Sequence, residues 1–226
     1  MNLVGCCSGR RELGELYDRI ADEFARVRRR TWPSILELKG GSGMALDLGC
    51  GTGRNAAALA SFGYCVVAAD LSIGMLNTFR KRFSQRGMAA VRCDALHLPF
   101  RDGSFDAVAL VAVIHHIRGR ENRLRGMAEV WRVTKSGGRV LVTAWSILQA
   151  RFLRRGIRII SSPLRGQELG DLIIPWGKKG GRFYHLFTKL ELERMVRRSG
   201  FRIIKSYGER IRGRLPENWV VLAEKV

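Results

Sequence analysis

The sequence is poor in several features, and each shortage excludes a class of protein. It contains only 5 Pro in 226 residues, and 46% of its residues are hydrophobic, a composition typical of a folded chain rather than a disordered one. Its apolar runs fall short of the roughly 18 residues that a transmembrane helix needs, and residues 1–9 lack the apolar core of a signal peptide. We therefore expect a single domain spanning 1–226, located in the cytoplasm and not associated with a membrane.

Cysteine is also scarce and irregularly placed. The five cysteines form no Cys-x-x-Cys pair, and their number is odd. Neither a disulfide framework nor a structural zinc site is indicated, so we expect a reducing compartment and no bound metal.

Acidic residues number 20 against 40 Lys and Arg, which gives a formal net charge of +20 and a pI near 11.0. Such an excess favours a polyanionic partner. Nucleic acid is the usual one, because cations that neutralise phosphates release counterions. An anionic membrane surface, or a genomic bias toward Arg, would also produce this balance. The basic residues are spread along the chain, which indicates a charged face on a folded domain rather than a disordered arm.

Regular apolar patterns cover most of the chain. An N-terminal helical segment is predicted over 10–38, since apolar residues recur there at helical spacing. Short apolar runs and helical patterns then alternate. Strands are predicted over 44–48, 65–69, 88–93, 105–111, 139–144, 201–207 and 218–223, and helices over 54–62, 72–83, 121–133 and 189–199. This order predicts an α/β fold with a mostly parallel seven-stranded sheet and helices on both faces.

Residues 147–187 interrupt the alternation with basic residues, glycines and two prolines, Pro163 and Pro175. We interpret this segment as an insertion over the active-site edge of the sheet. A surface excursion without function is the alternative.

The most specific motif is Asp47-Leu-Gly49-Cys-Gly51-Thr-Gly53, at a predicted strand-to-helix turn. Alternate glycines let the backbone turn tightly and approach a ligand closely. A dinucleotide fingerprint would need glycine where Arg54 stands, and no Gly-Lys-Ser/Thr of a phosphate-binding loop follows. The pattern resembles motif I of the class I methyltransferases. That resemblance implies a Rossmann-like fold and S-adenosylmethionine as the cofactor.

Two further acidic residues follow the next strands. Asp70 ends the second predicted strand, where an acidic side chain accepts hydrogen bonds from ribose hydroxyls. Asp94, followed by Ala95, stands where members of the resembled family contact the adenine amino group. The simpler interpretations are a helix N-cap for Asp70 and a turn carboxylate for Asp94.

Several segments resemble a narrower family, the tRNA wobble-uridine carboxymethyl methyltransferases. They are Tyr17–Phe24, Asp94–Phe100, Val111–His116, Glu129–Val133 and Arg182–Phe187. The resemblance implies esterification of the carboxylate of 5-carboxymethyluridine in a tRNA anticodon stem-loop. It also implies a small zinc-binding activator subunit. We expect that subunit at the strand Met88–Val91, which is unusually apolar for an exposed sheet edge.

The same resemblance suggests the acceptor site. A carboxylate is already ionised at neutral pH, so the reaction requires positioning rather than a general base. Residues proposed to collect and orient it are Arg28, His115, His116, Arg182, His185 and Trp145. If strand geometry continues through the histidine pair, only one ring faces the substrate, and the resemblance favours His116. Trp145 is either a stacking wall for the base or a core tryptophan.

The chain departs from the resembled family in being more basic and in its segment Arg151–Arg165, which puts the exact nucleoside in question. A small-molecule or lipid methyltransferase would carry the same cofactor motifs. A non-catalytic RNA-binding module that retained the fold is the alternative outside enzymes.

Overall fold

The structure is a computed structural model that describes residues 4–27, 30–84, 87–150, 152, 168–175, 181–211 and 214–226. The helices are α1 Val4–Val27, α2 Arg54–Ser61, α3 Ile73–Phe83, α4 Arg120–Val133 and α5 Lys189–Arg198, with 3-10 helices at Pro33–Leu38 and Ile114–His116. The strands are β1 Gly43–Leu48, β2 Tyr64–Asp70, β3 Ala89–Arg92, β4 Phe105–Val111, β5 Thr134–Trp145, β6 Asp171–Pro175, β7 Gly181–His185, β8 Phe201–Glu209 and β9 Asn218–Lys225. Among these residues no helix has the length and apolar character that crossing a bilayer requires.

Seven strands form one sheet in the order β3-β2-β1-β4-β5-β9-β8. The first five run parallel, and β9 runs antiparallel to both of its neighbours. The predicted Rossmann-like fold with a mostly parallel seven-stranded sheet is therefore confirmed, and β3 lies at one edge. The parallel order brings the carboxyl ends of β1, β2 and β4 together, which is where ligands bind in such sheets.

Each face of the sheet packs against its own helices. Alternate residues of β4 belong to different cores, with Val108 and Leu110 on one side and Ala107 and Ala109 on the other, as the two-residue period of a strand dictates. The first core also contains residues of α4 and α5, and the second contains residues of α2 and α3. Burial on both faces explains why the central strands are apolar almost throughout.

The segment that interrupts the alternation contains a feature the sequence did not predict. β6 and β7 pair as an antiparallel hairpin outside the main sheet. Its buried side chains join Trp145 and Phe152 in a small separate core. Because this core depends on contacts with residues distant in the sequence, no local period announced it. The basic segment Arg151–Arg165, apart from Phe152, lies outside the described residues.

Candidate active site

A pocket opens at the carboxyl ends of β1, β2 and β4, and α1 covers one side of it. Leu48, Asp70 and Val111 line it from the strand ends, and Tyr17 and Phe24 line it from α1. Five of the predicted cofactor residues also line it: Gly49, Gly51, Asp70, Asp94 and Ala95. The structure thus brings together predicted residues that follow three separate strands, β1, β2 and β3.

The glycine turn is shaped by its backbone. Gly49 and Gly51 have φ angles of +72° and +53°, a region that side chains with a Cβ rarely adopt. A Cβ on Gly49 would lie 2.2 Å from Val113 Cγ2, so the turn also needs glycine for packing. A Cβ on Gly51 would point toward Phe24 across the pocket. Gly53 instead caps the start of α2 and is not among the lining residues.

The Asp70 carboxylate fixes the glycine turn through a hydrogen bond. Its Oδ2 accepts a hydrogen bond from the Gly51 amide at 2.8 Å, and its Oδ1 accepts one from the Ser72 amide at 2.9 Å. The N-cap of α3 is Ser72, whose Oγ accepts from the Met75 amide, so Asp70 does not fill that role. Burial raises the pKa of Asp70 against the lowering effect of these amides. A carboxylate has about four acceptor positions, so Asp70 retains capacity toward the pocket.

Asp94 is a turn carboxylate that also lines the pocket. Its Oδ1 accepts a hydrogen bond from the Leu96 amide, as a turn carboxylate does, and it lines the pocket with Ala95.

Asp47 lies beneath the pocket rather than in its wall. It is 1% exposed, and neither carboxylate oxygen has a side-chain or backbone hydrogen bond of good geometry within the described residues. Burial raises its pKa to about 7, opposed by the Ala56 backbone N–H and by Arg54. An acid with so little compensation for its charge is held protonated for part of the time at neutral pH.

His116 lies at the rim of the pocket with both ring nitrogens engaged. Nδ1 is 3.0 Å from the Phe183 carbonyl oxygen, and Nε2 is 2.9 Å from the Tyr17 hydroxyl. Because a carbonyl only accepts, Nδ1 carries the proton, and Nε2 accepts from Tyr17. Burial lowers the pKa of His116 to about 4. The ring is therefore neutral, and its one lone pair is in use.

Arg182 lies next to this pair. It is 5% exposed, and its guanidinium lies 5.2 Å from the centre of the Tyr184 ring. Burial raises the pKa of Tyr17, while Arg182 and then Tyr184 act on its hydroxyl in the opposite direction. Tyr17, His116 and Arg182 thus form one contiguous group, called below the acceptor cluster.

His115 and Trp145 are buried behind the acceptor cluster. The Trp145 ring stacks on Tyr184 with centroids 4.1 Å apart, and the His115 Nδ1 accepts from the Trp145 amide. Strand geometry does not continue through the histidine pair: β4 ends at Val111, Ala112 has a φ of +61°, and a 3-10 helix follows. The conditional prediction of opposite faces fails for this reason, although only His116 lines the pocket.

His185 is placed elsewhere. Its Nδ1 lies 2.7 Å from Asp171 Oδ1 and its Nε2 lies 2.7 Å from Glu191 Oε1, and it is absent from the residues lining the pocket. Arg28 lies outside the described residues.

Tyr17 is the site residue that the sequence reasoning missed. The sequence analysis names Tyr17 only within the segment Tyr17–Phe24 that resembles the narrower family, and it predicts no role for the hydroxyl. A signal was present, because a tyrosine hydroxyl on a buried helix face needs a polar partner. In the structure, the neighbouring Asp18 carboxylate accepts hydrogen bonds from the Ser72 hydroxyl and the Gly74 amide. These bonds attach α1 to the start of α3.

Comparison with known proteins identifies the family to which the chain is similar. Residues 46–142 match the family described as "Methyltransferase domain". A protein of Encephalitozoon cuniculi named as a methyltransferase is 35% identical over 194 residues, covering 83% of this chain and 86% of that protein. A solved S-adenosylmethionine-dependent methyltransferase structure from Methanosarcina mazei superposes with a TM-score of 0.75 at 23% identity, over 87% of this chain and 98% of that one.

Relatives with named substrates differ from one another. The tRNA (carboxymethyluridine(34)-5-O)-methyltransferase of Xenopus tropicalis is 29% identical over 94% of this chain, which spans only 40% of that protein's length. The demethylmenaquinone methyltransferase of Thermobifida fusca is 34% identical over 64% of this chain and 66% of its own.

Proposed function

The chain belongs to the class I S-adenosylmethionine-dependent methyltransferases, and on this premise we propose that it esterifies the carboxylate of 5-carboxymethyluridine at the wobble position of a tRNA. Three observations support the proposal. The Xenopus relative that aligns over most of the chain is named for this reaction. The net charge of +20 suits a nucleic-acid partner. The single observation that carries it is the buried Arg182, which does not line the pocket itself but hydrogen bonds to Tyr17 and acts on the neutral His116, two residues that do line it.

The pocket fits the cofactor of this family. S-adenosylmethionine supplies an activated methyl group carried on a sulfonium. Asp70 has acceptor capacity for the ribose hydroxyls, and Asp94 with Ala95 suits the adenine. The turn at Gly49 and Gly51 leaves no side chain between the backbone and the ligand.

The acceptor cluster suits an acid better than an amine or an alcohol. The last two nucleophiles must lose a proton, which requires a base, but the lone pair of His116 accepts from Tyr17. A carboxylate needs no base. It needs a cation to collect it, and a buried arginine in a low-dielectric site does this strongly. Arg182 is therefore the residue proposed to bind the acceptor carboxylate, and His116 with Tyr17 to fix the shape of the site.

The test is methyl transfer to two tRNA preparations, one carrying 5-carboxymethyluridine and one with unmodified uridine. Nucleoside mass spectrometry should detect a methyl ester in the first only, and mild alkali should remove it. Arg182→Ala should abolish the product while the dissociation constant of S-adenosylhomocysteine changes less than twofold. Absence of ester from the modified tRNA, with or without the activator subunit, would contradict the proposal.

A small-molecule acceptor is the competing function, and the Thermobifida relative is the observation that favours it. A quinone precursor presents a carbon nucleophile that must lose a proton, so the engaged state of His116 weighs against it. Transfer to a demethylmenaquinone analogue in the same assay, exceeding transfer to tRNA, would favour this second function.

The activator subunit remains part of the proposal. β3 pairs only with β2 within the main sheet, and its exposed Ala89 and half-buried Val91 leave an apolar edge. The chain itself covers part of this edge, because Arg80 donates a hydrogen bond to the Ala90 carbonyl. Strand addition by a partner would cover the remainder. Full activity of the chain alone, with no gain on adding the zinc-binding subunit, would contradict this partner.

A further inference from the structure

A second cleft adjoins the cofactor pocket. Leu16 and Arg19 of α1 form one wall, and Ile173 and Phe183 of the β6–β7 hairpin form another. Three residues line both cavities: Leu13, His116 and Ile117. A molecule held in this cleft therefore reaches the cofactor pocket at His116.

Phe183 and Arg118 give the cleft a flat cationic surface. The Phe183 ring is half-buried, and the Arg118 guanidinium carbon lies 4.9 Å from its centre. Aromatic rings and guanidinium planes are the surfaces on which proteins stack unpaired nucleobases. The backbone carbonyl of Phe183 is the group that holds Nδ1 of His116. A base on this ring is thus one residue away from the acceptor cluster.

The charge of the cleft favours an anion. Two exposed arginines, Arg19 and Arg118, face one exposed carboxylate, Glu12. Asn122 adds a neutral polar group. The remaining side chains that line the cleft are apolar except for the neutral His116, so the wall combines apolar area with a net positive charge, as a nucleotide requires.

We propose that this cleft is the subsite for the acceptor nucleotide, with its base stacked on the Phe183–Arg118 surface and a backbone phosphate at Arg19. This inference rests on the proposed tRNA function and assigns the residues that select a nucleotide rather than a free acid. The two contacts can be tested separately, because the free energy of a phosphate contact depends on salt concentration, whereas that of base stacking does not.

The stacking role is tested with Phe183→Ala and Phe183→Trp, using an anticodon stem-loop that contains 5-carboxymethyluridine. Loss of a stacked base should raise both KM and the dissociation constant of the stem-loop roughly 5- to 100-fold. The tryptophan variant should restore them, and the affinity for S-adenosylhomocysteine should not change. Arg125→Ala, an exposed arginine of α4 that does not line this cleft, is the matched control.

The phosphate role is tested with Arg19→Ala by filter binding over a range of salt concentrations. The slope of log affinity against log salt should become shallower by roughly 0.7 to 1. Wild-type values of stem-loop affinity and salt slope in both Phe183→Ala and Arg19→Ala would overturn the inference. If the wild-type protein binds the stem-loop but does not methylate it, the proposed function fails, and the same binding measurements still decide this subsite.

Discussion

Two histidines inside the molecule, His116 and His185, differ in what their ring nitrogens contact. His116 donates to a carbonyl and accepts from a hydroxyl, and burial lowers its pKa to about 4. His185 lies between two carboxylates, whose hydrogen bonds raise its pKa although burial opposes them. One ring is therefore neutral at neutral pH, and the other keeps its charge to a higher pH than an ordinary histidine does. The comparison teaches that the neighbours, not the residue type, decide which histidine belongs to a reaction site.

His185 of β7 and its surroundings form a network that joins four elements, α4, β6, β7 and α5. Asp171 of β6 and Glu191 of α5 bind its ring, and the buried Arg123 of α4 pairs with Glu168 and, at 3.9 Å, with Glu191. We call these five residues the hairpin network. It contains opposite charges that compensate one another, whereas the acceptor cluster contains neutral groups beside one cation. We therefore expect substitutions in the network to affect folding and those around the pocket to affect binding or turnover.

The largest expected effect is that of Arg123→Ala on stability. Its side chain is 1% exposed, so removal leaves a void and leaves Glu168 without its cation, while Glu191 keeps its contact with His185. We expect a loss of about 3 kcal/mol, the lower end for a broken buried pair, because Glu168 is one-third exposed. Urea unfolding measures it. Arg125→Ala, exposed on the same helix, should cost less than about 0.5 kcal/mol. Equal losses in the two variants would contradict the distinction between them.

Asp70→Ala should have the next largest effect, and on binding. The variant loses the two hydrogen bonds that we propose the ribose hydroxyls donate to Asp70, and it loses the bond from the Gly51 amide. We expect the affinity for S-adenosylhomocysteine to become about 100-fold weaker. Isothermal titration calorimetry measures it. Asp102→Ala removes an exposed, ion-paired aspartate from another part of the chain and should leave the affinity unchanged. A retained affinity in Asp70→Ala would remove this carboxylate from the cofactor site.

The sequence predicted the elements whose signal is local and failed where contacts decide. The sheet followed from apolar runs. Gly49 and Gly51 followed from a motif in which each residue's role depends on its nearest neighbours, and Asp70 followed from its position at the end of the second predicted strand. The β6–β7 hairpin was missed because its core comes from Trp145 and Phe152. His185 was grouped with His116 because both lie in segments that resemble the same family. No local pattern in the sequence reveals that Asp171 and Glu191 surround His185. Charge state is a property of the assembled neighbours.

The two histidines should also give opposite pH responses. The folded pKa of His185 lies above the unfolded value of 6.5, so its contribution to stability is complete below pH 6.5 and is lost as pH rises through the folded pKa. The folded pKa of His116 lies below 6.5, at about 4, so stability is lost as pH falls from 6.5 toward 4, by up to about 3 kcal/mol.

Urea unfolding at several pH values checks this pair. His185→Gln should flatten the loss above pH 6.5, and His116→Asn should flatten the loss below it. Asp47, with a pKa of about 7, also responds to pH, so each variant is compared with the wild type at the same pH. If both variants flatten the same side of the profile, the opposite pKa shifts assigned here are wrong.

The smallest expected effect is that of Tyr17→Phe, and it separates positioning from packing. The variant keeps the ring but leaves Nε2 of His116 without its donor, a loss of about 1 kcal/mol in the bond that orients the ring. Turnover with the modified tRNA should fall roughly fivefold, while S-adenosylhomocysteine affinity stays within twofold. Tyr64→Phe is the matched control, because its hydroxyl donates to the Leu38 carbonyl away from the pocket. That variant should lower stability without lowering turnover. If Tyr17→Phe lowers stability but not turnover, as expected of Tyr64→Phe, then the Phe183 carbonyl alone orients His116. Within the acceptor cluster, Arg182 would then be the residue that acts on the substrate.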